Sequence, residues 1–192
     1  MAIKTFTTGE VLTASDTNTY LANSGLVYVG STAFNGLSNN FASVFSATYD
    51  NYQILITNLN NGSVTTRGVV MKLLSGTTPT SDSTYTTNSI YQFSASTTAG
   101  SGVTASTSFD LTQLSSNTGG SGSIRIEMFN PFNAVNTFIT LQQETYQSNI
   151  SSFIMRTGAG IHNTQTSYNG FQLVGSTDNI SGTVTVYGYR KA

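Results

Sequence analysis

The stretch "GSIRIEMF", residues 122 to 129, limits what this chain can fold into more than any other. At a period of two, Ile124, Ile126 and Met128 point one way while Arg125, Glu127 and Phe129 point the other. At the helical period of 3.6 the same residues scatter around a cylinder and form no face. "NYQILITNL" repeats the pattern, with Tyr52, Ile54 and Ile56 on one side and Leu55 and Leu59 on the other. In "GTVTVYGY", Val184 and Val186 oppose Thr183, Thr185, Tyr187 and Tyr189. Further strand candidates are "LVYV", "FASVF", "GVVMKLL", "SIYQFSA", "TSFDL", "TFITLQQETY", "ISSFIM" and "FQLVG". Together they give about ten or eleven strands at the spacing of a sandwich.

So many strands without intervening helices imply an antiparallel all-β fold. The expectation for residues 25–192 is a two-sheet β-sandwich, jelly-roll-like, in preference to a closed barrel. Asn61-Gly62 and Asn169-Gly170 have the chemistry of tight hairpin turns. Residues 75–84, 97–107 and 115–123 read as loops, because Ser, Thr and Gly dominate them. Several strands carry apolar residues on both faces, as Leu55 beside Ile54 and Phe129 beside Met128. Monomers seldom expose that much apolar surface, so part of it is expected to meet neighbouring subunits.

Residues 1–24 break the pattern and form a separate segment. Thr13, followed three residues later by Asp16, approximates a capping box, and Asp16 also suits the N-terminal dipole. Asn23, Ser24 and Gly25 supply a stop. The spacing predicts a short helix over residues 14 to 23. A helix of that length, rich in Thr and Asn, is marginal alone in water and needs a surface to dock on.

Composition excludes several functions. Only 8% of the 192 residues are charged and the formal net charge is −1. The basic residues Lys4, Arg67, Lys72, Arg125, Arg156, Arg190 and Lys191 are scattered, whereas a phosphate-binding surface needs them clustered. No nucleic-acid partner is expected. The absence of cysteine removes disulfides, thiolate metal sites and a Cys nucleophile. No apolar run reaches membrane-spanning length, and the opening "MAIKTFTTGEV" has no continuous apolar core of the secretory kind. A surface of Thr, Ser, Asn and Gly suits an exposed protein or a packed oligomer.

Catalytic signals are sparse. His162 is the only histidine, and it lies in the polar stretch "GAGIHNTQT". A general base also needs a positioned partner, which sequence does not supply. No cofactor and no metal site is expected, since His, Asp and Glu nowhere recur at ligand spacing. Among the carboxylates, Glu127 and Glu144 are the best candidates for a glycosidase pair, since both fall on strand candidates. Ion pairing on a solvated face is the favoured reading of Glu127, ahead of catalysis. Binding is the better reading: loops rich in Asn, Ser, Thr and Tyr can bond sugar hydroxyls and stack on sugar faces. Tyr85, Tyr91, His162 and Tyr168 are the candidate receptor contacts.

Three stretches carry a resemblance. "FTTGEVLTASDTNTYL" resembles the N-terminal segment of many tailed-phage tail and fibre proteins. "YDNYQILITNL", followed by "VVMKLL", resembles the start of the β domain in such proteins, and "NISGTVTVYGYRKA" resembles their last strand. The match covers both ends and the first third of the chain. It implies a structural virion protein of the tail-fibre or receptor-binding type, made in the host cytoplasm and anchored through its N-terminus. It also implies a homo-oligomer, with a trimer favoured, and other virion proteins of the tail, baseplate or capsid as partners. By position, Phe6, Gly9, Val11, Leu12, Ala14, Asn18 and Leu21 would carry the attachment. A host-surface glycan is the expected ligand of the β domain. The alternatives are a capsid decoration or head-fibre protein and, less favoured, a polysaccharide-degrading enzyme.

Overall fold

Among the described residues, strands account for nearly all the regular structure, because most of the period-two segments find a partner. A computed structural model describes residues 7–11, 13–16, 25–62, 67–93, 97–114, 122–147 and 151–191. Among these the strands are β1 (Leu26–Gly36), β2 (Ser38–Phe41), β3 (Tyr49–Asn61), β4 (Arg67–Ser75), β5 (Thr78–Pro79), β6 (Tyr85–Phe93) and β7 (Thr97–Ser106). They continue with β8 (Phe109–Leu114), β9 (Gly122–Phe129), β10 (Thr137–Gln147), β11 (Ser152–His162), β12 (Gly170–Gly175) and β13 (Ile180–Arg190).

An eight-stranded sheet runs β1-β13-β3-β9-β10-β11-β6-β7, and a five-stranded sheet is built from β2, β12, β4, β5 and β8. Every pairing is antiparallel. The two sheets enclose one core, as a β-sandwich requires. The large sheet contributes Tyr52, Ile54, Ile56, Ile124, Ile126, Met128, Ile139, Leu141, Val184 and Val186 to it. The small sheet contributes Phe41, Val69, Met71, Leu73, Phe109, Leu111, Phe171 and Leu173.

The alternation expected of β9 and β13 is what the fold uses. Ile124, Ile126 and Met128 are buried while Arg125 and Phe129 are exposed. Leu59 departs from the expected face. A bulge between Ile56 and Leu59, with Asn58 at φ 52°, inserts an extra residue and turns Leu59 into the core. Asn tolerates that left-handed conformation better than a β-branched residue would.

Other segments correct the sequence reading. "FASVF" is not a strand: β2 ends at Phe41, and Ser43 at φ 59° reverses the chain so that Phe41 and Phe45 both turn inward. The expected loop at 97–107 is largely β7, an edge strand whose described residues are half-buried or exposed, so it needs no apolar alternation. Neither Asn-Gly pair closes a hairpin, since β3 leads to β4 and β11 to β12 across to the other sheet. Gly170 is required for another reason. A Cβ there would lie 2.2 Å from the carbonyl oxygen of Phe41, so only glycine lets β12 approach β2 this closely.

Among the described residues near the N-terminus, helical backbone covers Ala14–Asp16. The three-turn helix expected over residues 14 to 23 is not seen, and residues 17–24 lie outside those described. Among the described residues, no helix is long and apolar enough to cross a membrane.

Candidate functional site

Three of the four candidate receptor contacts meet inside the protein. Tyr85 opens β6, His162 closes β11, and the antiparallel register places them opposite one another. Their rings are 4.1 Å apart, and Tyr168 meets His162 edge-on at 5.2 Å. Tyr85 and His162 are 0% exposed. In this geometry Tyr85, His162 and Tyr168 are buried packing groups and present no surface to a receptor.

A polar network surrounds the imidazole. Its Nε2 lies 3.2 Å from Asp82 Oδ1 and 3.0 Å from the Thr84 hydroxyl. Thr84 and Thr164 both donate to Asp82 Oδ2, at 2.8 and 3.0 Å. With the carboxylate accepting on that side, Nε2 carries the proton and Nδ1 accepts from the Tyr168 hydroxyl at 3.3 Å. The Tyr85 hydroxyl accepts from the backbone N–H of Leu73 at 2.9 Å and bonds the Thr80 hydroxyl. Loop 80–84, the end of β11 and loop 163–168 are thus fastened to β4 through one ring system.

Burial sets the protonation states. It pushes the His162 imidazole below its ordinary value, against a weaker upward pull from Asp82. It also pushes the Asp82 carboxyl up, but the bonds from Thr84, His162 and Thr164 outweigh this and hold it below the usual range. Burial raises the Tyr85 hydroxyl to about 12. All three groups are held in their neutral-pH forms, which suits a latch.

A pH dependence follows. Below the ordinary histidine value of 6.5, the unfolded chain takes up a proton that the folded one resists. Stability is then complete above pH 6.5 and falls as pH drops below it. Asp82 adds a second loss below 3.8. Urea midpoints should decline between pH 7.5 and 5, and His162→Gln should flatten that decline. A native protein with equal midpoints at both pH values would refute the latch.

Tyr91, the fourth candidate, stands apart. It is half-buried on β6 beside Phe93, their rings 5.3 Å apart, and the register places it opposite Arg156. Arg156 is the buried charge that sequence reasoning missed. It is 5% exposed, donates through Nε to Ser89 Oγ at 2.8 Å, and pairs through Nη2 with Asp110 at 2.8 Å. The parity of β11 carried the signal, because Ile154 and Arg156 must share a face.

The outer face of the large sheet is open across β9, β10 and β11. Phe129, Phe138 and Ile161 form one cross-strand row, and Tyr146 pairs with Phe153 at the other end. Phe138 is 46% and Phe153 51% exposed. Polar lanes lie between these rows. Glu127 accepts from Gln53 at 2.8 Å and from Tyr189 at 2.6 Å, and Arg125 donates to Gln142 at 2.6 Å. Glu144 faces Ser123, whose hydroxyl donates to it at 3.0 Å. Ser123 is four residues along β9 from Glu127, so the two carboxylates sit roughly 14 Å apart by strand geometry. A glycosidase pair needs about 5–10 Å, so this pair does not form one.

Of the expected attachment residues, Gly9, Val11 and Ala14 are described and all three are exposed, Val11 at 78%. Phe6, Leu12, Asn18 and Leu21 lie outside the described residues. Among the described residues no group of three His, Asp or Glu side chains is placed to hold a metal ion. Compared with known proteins, the chain matches no family model, no curated protein and no solved structure.

Proposed function

We propose that this chain is a phage virion structural protein of the tail-fibre or receptor-binding type. Its N-terminal segment attaches it to another virion protein, and its jelly-roll-like sandwich faces the host surface. The observation that carries this reading is the exposure of the described opening residues, Val11 foremost, beside a β domain that encloses its own core. That exposure leaves the opening segment accessible to another protein's surface. The phage-like motifs of the opening and closing segments and the low surface charge support the same reading. The exposed rows around Phe138 and Phe153 suit contact between copies of the chain, with a trimer as the favoured assembly.

Deleting residues 1–24 tests the division of labour. The truncated chain should melt as cooperatively as the full chain and yet fail to join the particle. Loss of the folded β domain on deletion would overturn it. Capsid decoration is the second reading, and a particle map that places the chain on the head would favour it.

A further inference from the structure

A cavity of about 30 Å³ opens on the inner side of the large sheet, between β6, β10 and β11. Tyr91, Phe93, Gln143, Gln147, Ile154 and Arg156 line it. That volume holds about two water-sized groups. Gln143 is 2% exposed, yet its amide Nε2 has no hydrogen-bond partner. A buried amide left unpaired is costly, and proteins rarely retain one without a use.

The lining narrows the ligand chemistry. Gln143 offers an unused N–H donor, and none of the described lining side chains is acidic. The guanidinium of Arg156 is already neutralised by Asp110, so the cavity has little to gain from a free anion. Phe93 and Ile154 supply apolar wall, and Tyr91 adds an aromatic ring. A neutral acceptor joined to a small apolar group is the complement of these features.

We propose that the cavity is the anchor subsite for a glycan and takes the acetamido group of a 2-acetamido-2-deoxy sugar. The carbonyl oxygen accepts from Gln143 Nε2, the methyl rests on Phe93 and Ile154, and the sugar ring lies toward Tyr91. Carbonyl and methyl are the two small groups that the volume admits. This deepens the host-surface reading by naming a ligand class, and it rests on that reading only for the source of the sugar.

The test is a titration of the full chain with N-acetylglucosamine and N-acetylgalactosamine against glucose and galactose, followed through the backbone amide resonances of Tyr91, Phe93 and Ile154. The acetamido sugars should shift these resonances and bind about tenfold tighter than the parent sugars, the weight of one buried hydrogen bond. Gln143→Met keeps the length and removes the donor. It should erase the preference while leaving the melting temperature unchanged or raised, since an unpaired amide has gone. Equal binding of parent and acetamido sugars, or no shift at tens of millimolar, would overturn the proposal. So would a Gln143→Met protein that keeps the preference or melts lower. Binding without entry into a particle would defeat the virion reading alone, and entry without binding would defeat this subsite alone.

Discussion

Replacing Phe171 by alanine is expected to lower stability by about 3–5 kcal/mol, a large share of what a domain of this kind possesses. Phe171 lies on β12, with β2 on one side and β4 on the other, and is fully buried. It stacks on Phe41 at 5.0 Å and on Phe45 at 5.9 Å. Phe45 in turn meets Tyr52 at 4.7 Å, and the Tyr52 hydroxyl bonds the backbone of Ser46 at 2.7 and 3.0 Å. Phe171 therefore stands in the chain of rings that joins the small sheet to β3 of the large one. Truncation removes contacts on both sides and leaves a void that neighbouring strands cannot close without breaking ladder bonds. Thermal melting should show a fall of roughly 10 °C or more. Phe138→Ala is the control. Its ring is on the open face, and its effect on the melting of the isolated chain should stay within about 0.5 kcal/mol. Similar losses at the two sites would mean that the core has been misplaced.

The sandwich was legible because burial on one face leaves an alternating signature, as Ile124, Ile126 and Met128 show against Arg125. The signature fades wherever burial does not alternate. β7 is an edge strand with little to bury, so Thr, Ser and Gly satisfy it and its composition resembles a loop. Leu59 changed faces at a single left-handed residue, Asn58, which no periodicity reveals. The network around His162 is long-range in sequence. Asp82 and Thr84 lie about eighty positions from the histidine they hold, and nothing local to "GAGIHNTQT" marks it as buried. Composition alone points Tyr85, Tyr91, His162 and Tyr168 outward, whereas the register of β6 against β11 sets Tyr85 opposite His162 inside the protein, with Tyr168 packed against the imidazole.

Asp110→Ala should destabilise the chain by about 3 kcal/mol, most of it through the charge left behind. The Asp110 side chain is one-quarter exposed and that of Arg156 only 6%, so the two partners are not equivalent. Without its carboxylate, the guanidinium keeps the bond to Ser89 but stays buried with its charge uncompensated. Removal of the arginine instead leaves Asp110 able to reach water, so Arg156→Met should cost less, about 1–2 kcal/mol. The decisive case is the double variant. Asp110→Ala with Arg156→Met leaves neither charge, and methionine fills much of the space of the arginine stem. It should unfold at a higher urea concentration than Asp110→Ala alone, a second mutation that restores stability. Strict additivity of the two losses would show that the ion pair at the β8–β11 contact carries no coupling, and that Arg156 is held by its stem and Ser89 alone.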